Sequence, residues 1–206
     1  MKKILLLLST AGIILLYSCS SSTEITSSWH EPSKHIRIAK LEKVLVVALF
    51  KSKISSHLAE DQMATYLGGK GVVSYNYLDS NFNKKNADAI KNKIREDGFD
   101  GAITMRLIDA EKERVYNPSN FELYPPYYSN FSGYYYRNFP YYSNQGYYTT
   151  SKVFTVETSV FSIKEDKIIW LGITKTTDPD GVDKMMQEIA HVVYKKMLRE
   201  GFISRK

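Results

Sequence analysis

The fold is decided by the stretch Val44-Leu45-Val46-Val47-Ala48-Leu49-Phe50, seven apolar residues that lie between Lys43 and Lys51. A continuous apolar run of this length, rich in β-branched residues, is typical of a strand that is buried on both faces. Such a strand lies in the interior of a sheet, with helices covering both sides. The stretch therefore predicts an α/β domain in which residues 44–50 form a central strand.

The segments after this strand alternate between helical and strand-like spacing of their apolar residues. In chain order we expect a helix capped by Ser55-Ser56 and ended by Gly68-Gly69, a strand at Val72–Leu78, a helix from about Asn86 to Asp97 and a strand beginning near Gly101. Glu60 belongs to the first helix, and we expect it to be solvated. This β-α-β-α-β order predicts parallel neighbouring strands joined by helical crossovers.

The C-terminal segment predicts two strands in a hairpin and a last helix. The strands are expected at Val153–Ile163 and Lys167–Thr176, with a turn at Glu165-Asp166-Lys167. In the second strand, Ile169, Leu171 and Ile173 are expected to face the core, with Trp170 opposite. The helix, capped by Asp178 or Asp180, is expected to carry an apolar stripe of Val182, Met185, Met186, Ile189, Val193 and Met197. The complete order, β-α-β-α-β-β-β-α, predicts an α/β fold whose mixed sheet of about five strands is flanked by three helices.

Two of the predicted helices end in the same way. Gly98-Phe99 follows one of them and Gly201-Phe202 follows the other. A glycine in the left-handed conformation followed by an apolar residue indicates a Schellman stop. We attribute the likeness to shared capping chemistry and not to an internal repeat.

A tyrosine-rich insert at residues 116–150 separates the third and fourth predicted strands. Ten tyrosines lie between Tyr124 and Tyr148, many in pairs or triplets, and charged residues are almost absent apart from Glu122 and Arg137. The composition shows neither a helical nor a strand period, so we expect a long irregular loop. Loops of this length in compact domains are usually functional or disordered.

Three interpretations of the insert stay open. It can fold over its own sheet, form a contact surface for a protein or a cell-wall glycan, or insert into a membrane. Tyrosine suits a contact surface because it offers a large, rigid, amphipathic area at low entropy cost. The candidate partner-binding residues are Tyr127, Tyr128, Tyr134, Tyr135, Tyr136, Tyr141, Tyr142, Tyr147 and Tyr148.

The N-terminus has the layout of a lipoprotein signal peptide. Lys2 and Lys3 precede an uncharged apolar run at residues 4–17, which is too short to span a bilayer core. The run closes on Leu16-Tyr17-Ser18-Cys19, which resembles the bacterial lipobox and contains the only cysteine of the chain. The lipobox predicts cleavage before Cys19 and acylation of that residue. The prediction is an anchored protein, not a membrane-spanning one.

Cleavage before Cys19 removes 18 of the 206 residues and leaves 188, enough for one domain. We therefore divide the chain into a signal peptide (1–18), a lipidated cysteine with a flexible tether (19–42) and a single α/β domain (43–206). Ser20, not Asp, follows the cysteine. By resemblance to the enterobacterial sorting rule, this favours the outer membrane and its periplasmic face.

The sequence contains no recognisable catalytic or metal-binding motif. The four histidines, His30, His35, His57 and His191, show no metal-ligand spacing, and there is no nucleophile elbow. We expect no cofactor and no metal, and we expect Arg106 and Glu157 to form a structural ion pair across two strands. The formal charge of +6 is spread along the chain and falls to +4 on the mature protein, so nucleic acid is not an expected partner.

A family resemblance is carried by several stretches in order. They are the lipobox, Trp29, Lys43-Val44-Leu45-Val46-Val47, Gly98-Phe99-Asp100-Gly101, the Tyr-rich insert, Val156-Glu157-Thr158 and Ile169-Trp170-Leu171-Gly172. Together they resemble a group of uncharacterised bacterial lipoproteins classed as a domain of unknown function. More remotely, the element order is similar to the N-terminal domain of the Tol-system propeller protein, the penicillin-binding-protein activator lipoproteins and the curli-secretion channel lipoprotein. The resemblance implies periplasmic adaptor or assembly roles and transfers no catalytic residue.

The sequence thus leaves three hypotheses. The first is a non-enzymatic binding or adaptor module in the envelope, held to the membrane by Cys19. The second is a self-associating subunit of an oligomeric envelope or secretion assembly. The third, which the absence of a catalytic motif disfavours, is an envelope enzyme.

Overall fold

The computed structural model describes residues 22–78, 87–117, 130–132 and 147–205. The strands are β1 (Thr23–His30), β2 (Ile36–Arg37), β3 (Val44–Leu49), β4 (Gly71–Val73), β5 (Gly101–Asn117), β6 (Tyr147–Ser162), β7 (Lys167–Thr177) and β8 (Ile203–Ser204). The α-helices are α1 (Lys53–Thr65), α2 (Ser74–Tyr77), α3 (Ala87–Glu96) and α4 (Val182–Arg199).

The main sheet has six strands in the order β1-β7-β6-β5-β3-β4. Strand β3 is parallel to β4 and to β5, whereas the pairs β5–β6, β6–β7 and β1–β7 are antiparallel. A separate parallel pair joins β2 to β8. The predicted mixed α/β fold is confirmed, with more strands than the five expected.

Strand β3 is buried on both faces, as the sequence predicts, but it lies next to the edge strand β4 and not at the centre of the sheet. Val44, Val46 and Ala48 enter the larger core, which the sheet forms with α1 and α4. Leu45 points to the opposite face and packs with Ile94 of α3 and with Phe99 and Ala102, a smaller second core. Because burial of a side chain such as Val or Leu contributes about 1.5–3 kcal/mol, the burial of this strand on both faces stabilises both cores.

The predicted flexible tether is corrected by the structure for residues 23–30, which form the edge strand β1. It pairs with β7 from Thr23↔Thr176 to His30↔Trp170. Two carboxylates hold it, one in α4 and one at the C-cap of α4: the Thr23 hydroxyl donates to Glu188 at 2.9 Å and the Ser28 hydroxyl donates to Glu200 at 2.5 Å. A run of serines and threonines is typical of a linker when its hydroxyls hydrogen-bond to water. Here the hydroxyls of Thr23 and Ser28 hydrogen-bond to Glu188 and Glu200 instead.

The predicted second strand ends earlier than expected, at Val73, and Ser74–Tyr77 form a short helix. The cause is Glu60, whose side chain is 2% exposed, so the expectation that it is solvated is wrong. Its carboxylate accepts hydrogen bonds from the Ser74 amide and hydroxyl, both at 2.7 Å, and from the Ala48 amide at 2.9 Å. The buried carboxylate thus supplies acceptors to the first turn of α2, whose amides have none within the helix.

The orientation of β7 is the reverse of the expected one for most of its length. Trp170, Gly172, Thr174 and Thr176 form its buried row under α4, and Trp170 is fully buried. Leu171 and Ile173 point to the opposite face and are partly buried, whereas Ile169 is buried as predicted. A register shift against β6 between Val160 and Phe161 interrupts the alternation at this point.

The Trp170 indole lies flat over Gly172. A Cβ atom at position 172 would lie 2.2 Å from the Cη2 atom of the ring, so only glycine fits there. The indole N–H donates to Glu200 at 2.8 Å. These two contacts place the largest buried side chain of the protein between the sheet and the end of α4.

The predicted helix ends are confirmed. Gly98 and Gly201 adopt φ angles of +78° and +70°. The Phe99 amide donates to the Ile94 carbonyl and the Phe202 amide to the Met197 carbonyl, the long hydrogen bond of a Schellman motif. The predicted stripe of α4 is buried except for Val182, which is 43% exposed.

Candidate functional site

The β5–β6 hairpin projects from the sheet as a two-stranded ribbon. The two strands pair from Gly101↔Ser162 to Asn117↔Tyr147, whereas β7 pairs with β6 only as far as Val153↔Thr177. Six rungs, from Lys112↔Lys152 to Asn117↔Tyr147, therefore pair with no further strand in the described part of the chain. At about 3.3 Å per residue, the ribbon extends about 20 Å beyond the sheet.

The ribbon corrects the predicted limits of the irregular insert. Tyr116 and Asn117 belong to β5, and residues 147–150 belong to β6. Tyrosine, valine and threonine favour strands, which explains why pairing continues into the tyrosine-rich sequence. The central part of the insert lies outside the described residues except for Asn130, Phe131 and Ser132.

The structure places two of the nine candidate tyrosines. Tyr147 and Tyr148 stand in successive positions at the end of the described ribbon, so they lie on opposite faces, and they are 64% and 68% exposed. The other candidates, Tyr127, Tyr128, Tyr134, Tyr135, Tyr136, Tyr141 and Tyr142, and the predicted lipidation site Cys19, lie outside the described residues. Binding of a partner by these tyrosines stays a prediction.

The predicted pair of Arg106 and Glu157 is confirmed below the base of the ribbon. The two residues lie opposite each other in the β5–β6 register, and the guanidinium Nε and Nη2 donate to the two carboxylate oxygens at 2.7 and 2.8 Å. The hydrogen bond and charge of Glu157 raise the pKa of Arg106. This bidentate geometry fixes the strand register at the point where the hairpin leaves the helix-covered part of the sheet.

A bulge in β5 follows this pair. The register against β6 shifts between Leu107 and Asp109, and Leu107 and Ile108 are 41% and 45% exposed. A bulge increases the local twist of a strand and re-aims its side chains. The ribbon therefore leaves the sheet next to two exposed apolar residues.

A groove of about 530 Å³ lies beside the base of the ribbon, where α1 and α4 begin. Its apolar side chains include Phe50, Phe154, Val156, Met185 and Met186, and its charged ones are Lys51, Lys152 and Asp178. Sequence patterns did not indicate this groove, because its residues come from four separate segments. The one indication in the sequence was Val182, an apolar residue at the first position of the last helix. No earlier turn of that helix packs over this residue, so its side chain is left exposed.

Asp178 links β7 to β6 at this end of the sheet, a role that the sequence did not predict. The N-cap of α4 is Gly181, which has no side chain, so neither Asp178 nor Asp180 caps the helix. Asp178 instead has a φ of +45° and accepts a hydrogen bond from the Lys152 amide at 2.7 Å. That bond, together with one from Ser151, lowers the pKa of Asp178. Asp178 thereby joins the end of β7 to the first free rung of the ribbon.

The first residue of β1 lies at the same end of the molecule. The Ser22 carbonyl accepts a hydrogen bond from the Thr177 amide at 3.0 Å, and Thr177 lies opposite Val153, which lies opposite Glu111. These four residues form one row across the sheet at the base of the ribbon. Cys19 precedes Ser22 by three residues, which can span at most about 11 Å. The predicted lipid anchor and the ribbon therefore leave the domain in the same direction, about 10 Å apart across two strand spacings.

Within the described ranges no group of three His, Cys, Asp or Glu side chains is placed to hold a metal ion, and no helix is long and apolar enough to cross a membrane. A second cavity, of about 240 Å³, lies at the end of the sheet opposite the ribbon and is lined mainly by apolar residues such as Ile38, Met63 and Phe202. The prediction that the protein is not an enzyme remains a prediction.

No family model matches this chain, and no curated protein matches it. Among solved structures, the PelC dodecamer from Paraburkholderia phytofirmans is 10% identical with a TM-score of 0.46, covering 84% of this chain and 95% of that one. A single-residue variant of that dodecamer is 13% identical with a TM-score of 0.44, covering 84% and 94%. Lipoprotein GNA1162 from Neisseria meningitidis is 9% identical with a TM-score of 0.37, covering 76% and 98%. At these levels of similarity, neither a family nor a function follows for this chain, and the resemblances named from the sequence remain predictions.

Proposed function

We propose that this chain is a non-enzymatic lipoprotein of the bacterial outer membrane that presents its β5–β6 ribbon to an envelope partner on the periplasmic side. One observation carries the proposal: the start of β1 and the base of the ribbon lie in one row of the sheet, with only two residues between Cys19 and Ser22. A long flexible tether would let the domain reach partners far from the membrane. A connection of at most about 11 Å does not.

The ribbon is the element best suited to binding under this constraint. It projects about 20 Å beyond the sheet, further than the anchor connection can extend, so it meets whatever lies at the membrane surface before the rest of the domain does. Its described end carries Tyr147 and Tyr148, both well exposed, and aromatic side chains of this kind dominate protein contact surfaces. The partner class we propose is an envelope protein or a cell-wall glycan within reach of the membrane.

The proposal is tested by shortening the ribbon without disturbing the sheet. Arg114 and Thr150 are paired directly, so residues 115–149 can be replaced by Asn-Gly, which closes a two-residue hairpin and removes Tyr147 and Tyr148. Chemical cross-linking in intact cells, followed by detergent extraction and mass spectrometry, then compares this variant with the unchanged protein. We expect a discrete cross-linked partner that is lost in the shortened variant, while Tyr75→Ser, at an exposed tyrosine elsewhere, retains it. Identical partners for all three proteins would contradict the proposal.

The anchor is tested separately. Metabolic labelling with an alkyne fatty acid should label the unchanged protein and leave Cys19→Ser unlabelled. Label that persists in Cys19→Ser would refute lipidation at this position. The membranes of the labelled cells are then separated on a density gradient. The fraction that carries the label shows whether the protein is in the outer or the inner membrane.

A second candidate function, a subunit of an oligomeric envelope assembly, is favoured by the surface around the groove. Val182 and Leu107 line the groove and are 43% and 41% exposed, and Ile54, 72% exposed, precedes the groove residue Ser55 in α1. Clusters of exposed apolar residues mark surfaces that bind other proteins, including other copies. Native mass spectrometry in mild detergent should then show a defined oligomer that is lost in Ile54→Ser/Val182→Ser but kept in Ile168→Ser, which removes an exposed apolar residue at the opposite end. A monomer at every concentration would rule this candidate out.

A further inference from the structure

The ribbon is divided into a charged half and an uncharged half. In the first three rungs of the ribbon, β5 carries Lys112, Glu113 and Arg114, and Lys152 lies opposite Lys112. The three rungs beyond Arg114↔Thr150, which end at Asn117↔Tyr147, contain no charged residue on either strand. The boundary between the two halves therefore lies at Arg114.

The distance from the base of the ribbon to this boundary is close to the largest distance that the predicted anchor at Cys19 can extend from the same row of the sheet. Arg114 lies three rungs, or about 10 Å, beyond the row that contains Ser22, Thr177, Val153 and Glu111. Cys19 lies three residues before Ser22 and can rise at most about 11 Å above the same row. The charged half of the ribbon thus lies at or below the highest position of Cys19, and the uncharged half extends about 10 Å further.

Once Cys19 is acylated, its chains lie within the bilayer and its backbone lies at the level of the headgroups. The part of the ribbon that extends past the level of Cys19 therefore reaches the boundary between headgroups and hydrocarbon. Tyrosine is enriched at this boundary because its ring is apolar and its hydroxyl remains hydrated. Tyr147 and Tyr148, exposed and on opposite faces at the end of the described ribbon, have the chemistry of an interfacial anchor.

We propose that the uncharged end of the described ribbon, with Tyr147 and Tyr148, inserts into the interface of the same membrane that carries the lipid anchor. The inference rests on the proposed function for the anchor at Cys19, and it adds the headgroup region of the bilayer as a contact of these two tyrosines, beside the envelope partner held at the same membrane surface. Insertion stops at the interface. The described outer edges of the ribbon pair with no other strand, and unpaired backbone groups are not tolerated in the hydrocarbon core.

The test uses the full lipidated protein in vesicles of phosphatidylethanolamine and phosphatidylglycerol. Because Cys19 is the only cysteine and lipidation consumes its thiol, a cysteine introduced elsewhere is the only site for a nitroxide spin label. Labels are placed at Tyr148→Cys, at Lys152→Cys and at Ile168→Cys. Positions 148 and 152 lie on the same face of β6, four residues apart, and Ile168 lies at the opposite end of the domain. Collision rates with oxygen, which concentrates in lipid, and with a water-soluble nickel chelate are then measured.

We expect the label at 148 to show a severalfold higher ratio of oxygen to nickel collisions than the labels at 152 and 168. Equal ratios at all three positions would overturn the inference. If they are equal while Cys19 carries its acyl chains and partner capture still requires the ribbon, the proposed function stands and only the lipid contact fails. A free thiol at Cys19 in the isolated protein would overturn both.

Discussion

The carboxylate of Glu60 accepts a hydrogen bond of 2.7 Å from the amide of Ser74, which joins the middle of α1 to the first turn of α2. It also accepts from the Ser74 hydroxyl and from the Ala48 amide at the end of β3. One buried acidic side chain therefore organises the point where the first two parallel strands end.

Replacement of this carboxylate should be among the most damaging single changes. Glu60→Leu has a similar volume but leaves the amides of Ala48 and Ser74 buried without acceptors, each at a cost of about 1–3 kcal/mol. We expect a loss of about 3 kcal/mol in the free energy of unfolding, measured by urea denaturation, and a smaller loss for Glu60→Gln, which keeps one acceptor. The neighbouring Asp61→Asn, at an exposed residue, is the control. A loss for Glu60→Leu no larger than the control would show that these hydrogen bonds contribute little.

Gly172→Ala should force the Trp170 indole out of its position. The added Cβ would lie 2.2 Å from the ring, and overpacking of this kind costs about 1–3 kcal/mol. The smaller ring of Trp170→Phe should relieve the clash, so the two changes together should cost less than the sum of the single changes. A double-mutant cycle by chemical denaturation measures this coupling. Additive costs would mean that the ring does not occupy the space above Gly172.

The attachment of β1 to α4 should weaken in acid. Burial raises the pKa of Glu200, but hydrogen bonds from Ser28, Trp170 and Lys196 outweigh it and hold the pKa below its ordinary value of 4.5. Because the folded pKa is lowered, the stabilisation is complete above the unfolded pKa and is lost as the pH falls through the folded value. Amides of β1 should therefore exchange hydrogen faster as the pH falls below about 4.5, after correction for the intrinsic rate. In Glu200→Gln this extra pH dependence should be absent, and its persistence would assign it to another group.

The stop of α4 should depend on its glycine. Gly201 has a φ of +70°, a conformation that costs an ordinary L-residue about 1–2 kcal/mol. Gly201→Ala should lower the unfolding free energy by about 1 kcal/mol, and Gly201→Asn by less, because asparagine tolerates this region. Thermal denaturation of the two variants provides the comparison. Equal losses would mean that the left-handed angle is not the source of the cost.

Several elements of the fold were predictable because their signal is local. The apolar run at residues 44–50 indicated a strand buried on both faces, and β3 is such a strand. The stripe of α4 and both glycine stops were also predicted, since helix periodicity and left-handed glycines follow from short-range geometry. The Arg106–Glu157 pair was predicted from the opposed positions of the two residues on neighbouring strands.

The elements that were missed depend on partners distant in sequence. The sequence predicts a linker at β1 because the hydroxyls of Thr23 and Ser28 hydrogen-bond to Glu188 and Glu200, more than 160 residues away. Glu60 was expected in water because nothing near it in sequence shows that the end of β3 and the start of α2 converge on it. The groove beside the ribbon was missed because no single segment contains enough of its residues.

The sequence by itself determined the class of fold, the strand buried on both faces, the last helix and its stop, and the predicted address at Cys19. Each depends on residue type and spacing within about twenty positions. Only the tertiary structure decided that β1 belongs to the sheet, and hence that the predicted anchor and the tyrosine-bearing ribbon leave the domain at the same end. The physical reason is that sheet order is set by pairing between strands far apart in the chain. The position of Ser22 beside Thr177 therefore exists only once β7 has formed.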